Sequence, residues 1–261
     1  MSEQAVAVNR GGPTDRTLRI DAWWIEPAIT VGMLSTFIIY TTWAALVNDH
    51  YYVAPYLSPF YSPCLSTSCA HVTLGLFDWP LSPAILILWA PAGFRLTCYY
   101  YRKAYYRSFW MSPPACAVRD GHAQYTGETR FPLIVQNLHR YFFYAATLVV
   151  LFLWWDALLA FRFPTEAGSS EFGMGVGTLV LIANATFLSL YSFSCHSCRH
   201  LCGGGLDVLS RSPLRLQLWR QVSRLNENHM LFAWISLVGV MLTDVYVRCI
   251  SMGYISDVRF F

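Results

Sequence analysis

The stretch SFSCHSCRHLCGGG, residues 192–205, carries three cysteines and two histidines between Cys195 and Cys202. Thiolates and imidazoles are the ligands of zinc and of iron–sulfur clusters. On a helix, about 100° per residue sets Cys195, Cys198 and Cys202 on one face and His196 and His200 on another. Cys195 and Cys198 could then offer two thiolates to one metal atom, while the two local histidines point elsewhere. His139 and His229 each open an apolar run, and neighbouring helices would bring them to the same place. Two cysteines on one iron and two histidines on the other make the ligand set of a Rieske-type [2Fe–2S] centre. The predicted ligands are therefore His139, Cys195, Cys198 and His229, with His196 and His200 as substitutes. Zinc would accept the same set. Haem b would need only His139 and His229, and unmetallated thiols beside hydrogen-bonded histidines are a further reading.

The elements that must position these residues are membrane spans. The chain has 261 residues, 55% apolar and 16% aromatic, with 13% charged, against about 25% charged in a soluble domain. The first twenty residues have no apolar core, so they are not expected to be a cleaved signal peptide. Crossing ~30 Å of hydrocarbon takes about 20 apolar residues. Segments 24–47, 81–101, 138–161, 173–198 and 229–250 approach or reach that length. The expected fold is an all-α membrane protein, a five-transmembrane-helix bundle over 22–256, with tails at 1–21 and 257–261. Pro83, Pro91 and Arg95 weaken the second span, although neighbouring helices can satisfy the carbonyls a proline frees.

Basic residues set the orientation. They lie in the N-terminal tail, after span two and after span four, whereas connections 48–80 and 163–172 have no Lys or Arg. The N-terminus is therefore expected in the cytoplasm and the C-terminus outside, in a multi-pass plasma (inner) membrane protein. On the outer side, Cys64 and Cys69 suit a disulfide in a Pro/Ser-rich connection, while Cys69-Ala-His71 also matches half of a Rieske C-x-H pattern. On the inner side gather Cys98, Cys116, His139, the 195–202 group and His229, so that four helix ends converge on one face. That convergence, with Asp156 and Asp244 inside spans, favours redox chemistry over a structural metal. Asp244 and Arg248 suggest a carboxylate–guanidinium pair; Asp156 is open between pairing with Arg162 and lining a polar channel.

The segment TCYYYRKAYYRSFW, 97–110, places aromatics and bases at the inner boundary. A membrane–water belt accounts for most of them, and a quinone site wants the same chemistry. Tyr101, Arg102 and Arg140 are the candidate quinone contacts. All the basic residues but Lys103 are arginine, which suits fixed contacts with a docked protein. A nucleic-acid surface is excluded, since these loops lie against lipid without a binding module.

The strings NLHRYFFY, YSFSCHSCRHLCGG and LNENHMLFAWISLVGVMLTDVYVRC resemble the membrane-anchor (cytochrome b-like) subunit of actinobacterial succinate dehydrogenases, over about residues 22–256. In the broader succinate:quinone oxidoreductase family such anchors hold haem b on bundle histidines. Spans one and two here have no histidine. That departure matches the mycobacterial-type branch, described as carrying a membrane-embedded Rieske-type cluster. The resemblance implies an electron-transfer subunit without catalytic residues of its own, so enzyme activity belongs to the assembled complex. A flavoprotein (FAD) subunit and an iron–sulfur subunit would dock on the cytoplasmic face, and electrons would pass to menaquinone. The alternatives are a haem b anchor with structural cysteines and a non-redox membrane protein with a structural zinc.

Overall fold

In the computed structural model, residues 19–69, 74–76, 78–121, 128–165 and 168–261 are described. His71 and most of the N-terminal tail lie outside them. Among the described residues four helices are long and apolar enough to cross a membrane. These are α1 (Ile25–Val47), α4 (His139–Leu159, entered through a 3-10 turn at Leu133–Leu138), α5 (Val176–Phe193) and α8 (His229–Ser251). Each is apolar around most of its circumference, as a helix solvated by lipid on one side and by its neighbours on the other must be.

The second expected span differs. Only α2 (Ile85–Thr97) is helical there; its thirteen residues extend about 20 Å at 1.5 Å per residue. At Cys98 the backbone becomes extended (φ −62°, ψ 130°) and restarts as α3 (Tyr99–Ser108), which packs on α1. The YYYRKAYYRS sequence of α3 mixes rings and bases, a composition suited to a boundary and not to a crossing. The fourth expected span, 173–198, also stops early. Ser194 caps α5, Cys195 is extended (φ −66°, ψ 148°), and a separate helix α6 (His196–Gly203) follows. An amphipathic helix α7 (Pro213–Glu227) then leads to α8.

The all-helical expectation misses two small antiparallel pairs, β1 (Tyr52–Val53) with β2 (Tyr56–Leu57) and β3 (Arg162–Pro164) with β4 (Ser170–Phe172). Both belong to connections at one end of the bundle. Isolated two-stranded ribbons are marginal, and packing secures the first. Tyr56 and Leu57 are buried, and Tyr56 donates to Asp257 at 2.6 Å. Tyr51 and Tyr61 stack there with centroids 3.9 Å apart.

The helices pack in sequence: α2 on α4, α4 on α5, and α5 along α8. Gly93 lies in the α2–α4 contact, where a Cβ would lie 2.2 Å from the Phe142 ring. Opposite the ribbons, the C-terminal end of α2, the start of α4, the α5–α6 junction and the start of α8 meet around one buried cluster. It contains Phe94, Cys98, Tyr101, Phe143, Tyr191 and Cys195.

Candidate metal centre

Two histidine–cysteine pairs form in that cluster. His139, first residue of α4, points Nε2 at Cys195 Sγ, 3.0 Å away. His229, first residue of α8, points Nε2 at Cys98 Sγ, 3.4 Å away. Cys98 and Cys195 both sit where a helix has just broken, and both are buried. An extended residue between two helices aims its side chain into the bundle end instead of along a helix face. The break at Ser194 is pinned from α7, where Asn226 Nδ2 donates to the Ser194 carbonyl at 2.7 Å.

Both imidazoles are held at the other nitrogen. Thr97 Oγ1 lies 2.9 Å from His139 Nδ1 and donates its own hydrogen to the Gly93 carbonyl at 2.7 Å. Ser194 Oγ lies 2.7 Å from His229 Nδ1 and donates to the Tyr191 carbonyl at 3.1 Å. With its hydrogen committed to a carbonyl, each hydroxyl can only accept from Nδ1–H. Each Nε2 is then left with a bare lone pair facing sulfur. Fixing the ligand tautomer through the remote nitrogen is what surroundings of metal-binding histidines do. Stacking fixes the ring planes as well, His139 on Phe94 (4.9 Å, 8°) and His229 on Tyr191 (5.2 Å, 14°).

Among the described residues no three His, Cys, Asp or Glu side chains are grouped to hold one ion. The arrangement is two pairs, the number of protein ligands each iron of a dinuclear cluster takes. With metal–sulfur and metal–nitrogen bonds of about 2.3 and 2.1 Å at a tetrahedral angle, two ligands of one metal lie about 3.6 Å apart. The His139–Cys195 pair would need to open by about 0.6 Å and the His229–Cys98 pair by about 0.2 Å. Beside them Tyr191 Oη is buried with no hydrogen-bond partner among the described residues, although its burial demands one. A bound group with acceptor sulfurs would supply it. Burial pushes the Cys195 thiol, just beyond α5, up to about 12, with Cys98 nearby adding to the effect. A metal must therefore displace a proton to bind there.

The remaining candidates fall in other places. Cys198, on α6, has Cys202 as its neighbour, one turn along; burial, then that neighbour, raises its thiol to about 11. Cys195 is the extended residue that precedes α6, outside the helix that carries Cys198, and the thiol facing His229 is that of Cys98. His196 and His200 are exposed on α6, and His200 Nδ1 accepts from Arg140 Nη2 at 2.7 Å. Tyr101 is buried, donating to the Ala233 carbonyl (2.7 Å) and accepting from Arg95 (2.6 Å). Arg102 pairs with Glu128 at 2.5 Å. The two imidazoles face thiols, not each other, unlike the opposed pair that would hold haem b. At the other end of the bundle Cys64 and Cys69 are joined, with Cα atoms 6.4 Å apart.

Cys98 is the residue that helical periodicity passes over. The signal that could have found it is its position, between the last apolar turn of α2 and a run of three tyrosines, where a crossing helix gives way to a boundary segment.

A family model described as actinobacterial succinate dehydrogenase subunit SdhC matches residues 25–253. A chain of the solved Mycobacterium smegmatis Sdh1 complex in the apo form is 49% identical, with a TM-score of 0.87 and coverage of 98% of each chain. No curated protein matches.

Proposed function

This chain belongs to the actinobacterial succinate dehydrogenase SdhC family, and from that premise we propose that it carries electrons through a [2Fe–2S] centre held by Cys98, Cys195, His139 and His229. As a membrane subunit of such a complex, it has flavoprotein and iron–sulfur subunits as its partners. The reading extends to five crossings, α2 being the short one, with the N-terminus on the cytoplasmic side of the plasma membrane and menaquinone as acceptor. The ligand stoichiometry is that of a Rieske-type centre, but a thiol and an imidazole face one another in each pair. The observation that carries it is the pair of Nε2–sulfur approaches, each backed by a hydroxyl on Nδ1.

When bound, the centre would accept and release one electron at a time. The chain's own residues do the rest. Thr97 and Ser194 keep the Nε2 lone pairs directed at the centre, and Tyr191 offers it a hydroxyl hydrogen. Phe94, Phe143 and Tyr101 exclude water from it. Of Tyr101, Arg102 and Arg140, the last is best placed to donate to a quinone carbonyl. It is exposed beside His139 and needs only to release the His200 ring nitrogen. Tyr101 and Arg102 would first have to leave Ala233 and Glu128.

The test is iron and acid-labile sulfide quantitation on the intact complex, with electron paramagnetic resonance after reduction. Iron and sulfide in excess of the soluble subunits' content are expected. The excess should disappear in Cys98→Ser and Cys195→Ser and persist in Cys198→Ser. Zinc without extra iron, or a reduced b-type haem band, would overturn the proposal. Loss in Cys198→Ser with retention in Cys98→Ser would overturn the ligand assignment.

A further inference from the structure

Arg95, in the last turn of α2, is 9% exposed. Its hydrogen bonds run to neutral groups: Tyr101 Oη at 2.6 Å, the Ala233 carbonyl at 3.4 Å and Ser236 Oγ at 3.0 Å. Its guanidinium carbon lies 4.7 Å from the centroid of the Tyr191 ring, 5.5 Å from that of Tyr101 and 5.9 Å from that of Phe37. Among the described residues no carboxylate comes within ion-pair distance of it. A guanidinium does not lose its proton in proteins, so its donors are largely served while its charge has no opposite. Arg248, the other buried arginine, is paired with Asp244 at 2.8 Å. An unpaired charge inside a membrane bundle is expensive and marks function.

Besides the phenols of Tyr101 and Tyr191, the group near Arg95 that can become negative is the Cys98 thiol. Cys98 follows it by three residues, its backbone N–H donating to the Arg95 carbonyl at 3.2 Å. Tyr191, beneath the guanidinium, stacks on His229, which faces Cys98. We propose that Arg95 is the buried counter-ion of the dithiolate centre and sets its reduction potential, an inference that rests on the centre assigned in the preceding subsection. Each electron accepted there adds one negative charge, with no bond made or broken. A fixed cation nearby in low dielectric favours the reduced form. Arg95 acts through its field and is a positioning residue, not a ligand.

The test is a redox titration of the intact complex followed by electron paramagnetic resonance. Removing the charge in Arg95→Met should disfavour reduction about tenfold or more, a fall of about 59 mV for a one-electron couple. Arg95→Lys should hold most of the wild-type midpoint. Phe37→Glu, placing a carboxylate beside the guanidinium, should lower the midpoint in the same direction, and it decides alone if Arg95→Met fails to assemble. Wild-type midpoints in Arg95→Met or Phe37→Glu, with the signal retained, overturn the role of Arg95 and leave the centre standing. A wild-type complex with no extra iron overturns both.

Discussion

Thr97 and Ser194 decide which nitrogen His139 and His229 present. Removing either hydroxyl frees Nδ1–H from its acceptor and lets the imidazole turn or change tautomer. Thr97→Val and Ser194→Ala should each weaken metal retention about 10- to 100-fold, read as faster loss of iron from the complex under a chelator at fixed pH. That the two histidines and Cys195 would meet at one end of the bundle was legible because each marks the end of an apolar run. Their hydroxyl partners were not, since a threonine four residues from a glycine has no pattern that separates it from any other helical threonine. Cys198 was favoured by a helical-face argument that holds only along an unbroken helix, and the break at Ser194–Cys195 gives Cys198 a different neighbour.

At the scale of elements, length and hydropathy disclosed α1, α4, α5 and α8 within a few residues. The shortness of α2 was signalled by Pro83, Pro91 and Arg95, but its restart as α3 depends on packing against α1, which no local pattern reports. The two ribbons were missed because strands of two or three residues carry no period to read. The α2–α4 contact is the element pairing on which the site depends most, since Thr97 on α2 must reach His139 on α4. Gly93→Ala would set a methyl against the Phe142 ring, forcing the helices apart. It should destabilise the protein by about 1–3 kcal/mol, seen as a lower Tm in detergent accompanied by iron loss. A variant that melts early yet keeps its iron would show that the contact is not needed to hold Thr97 in place.

For the molecule as a whole, the end opposite the proposed metal centre is a polar joint. Asp244 accepts from Tyr40 at 2.6 Å, from Arg248 at 2.8 Å and from Ser58, while Arg248 also reaches the carbonyls of Asp49 (2.6 Å) and Ala44 (2.9 Å). Asp156, which the sequence left between two roles, accepts from Ser62 and lines a cavity of about 310 Å³ that Arg162 also lines. Tyr56, Tyr246 and the Gly177 N–H all donate to Asp257, fastening the chain's last residues to the start of α5. Leaving one charge of the Asp244–Arg248 pair alone, as in Asp244→Asn or Arg248→Met, should cost about 3–5 kcal/mol, whereas removing both should cost less. Thermal unfolding of the three variants in the complex gives the comparison, and a double variant no better than the singles would contradict it. Because the two partners sit one turn apart on α8, a voltage across the bilayer does nearly opposite work on them. About 2.3 kcal/mol per charge per 100 mV cancels almost completely at that joint, while Arg95, without a carboxylate partner among the described residues, is left to feel the electrical gradient of a respiring cell.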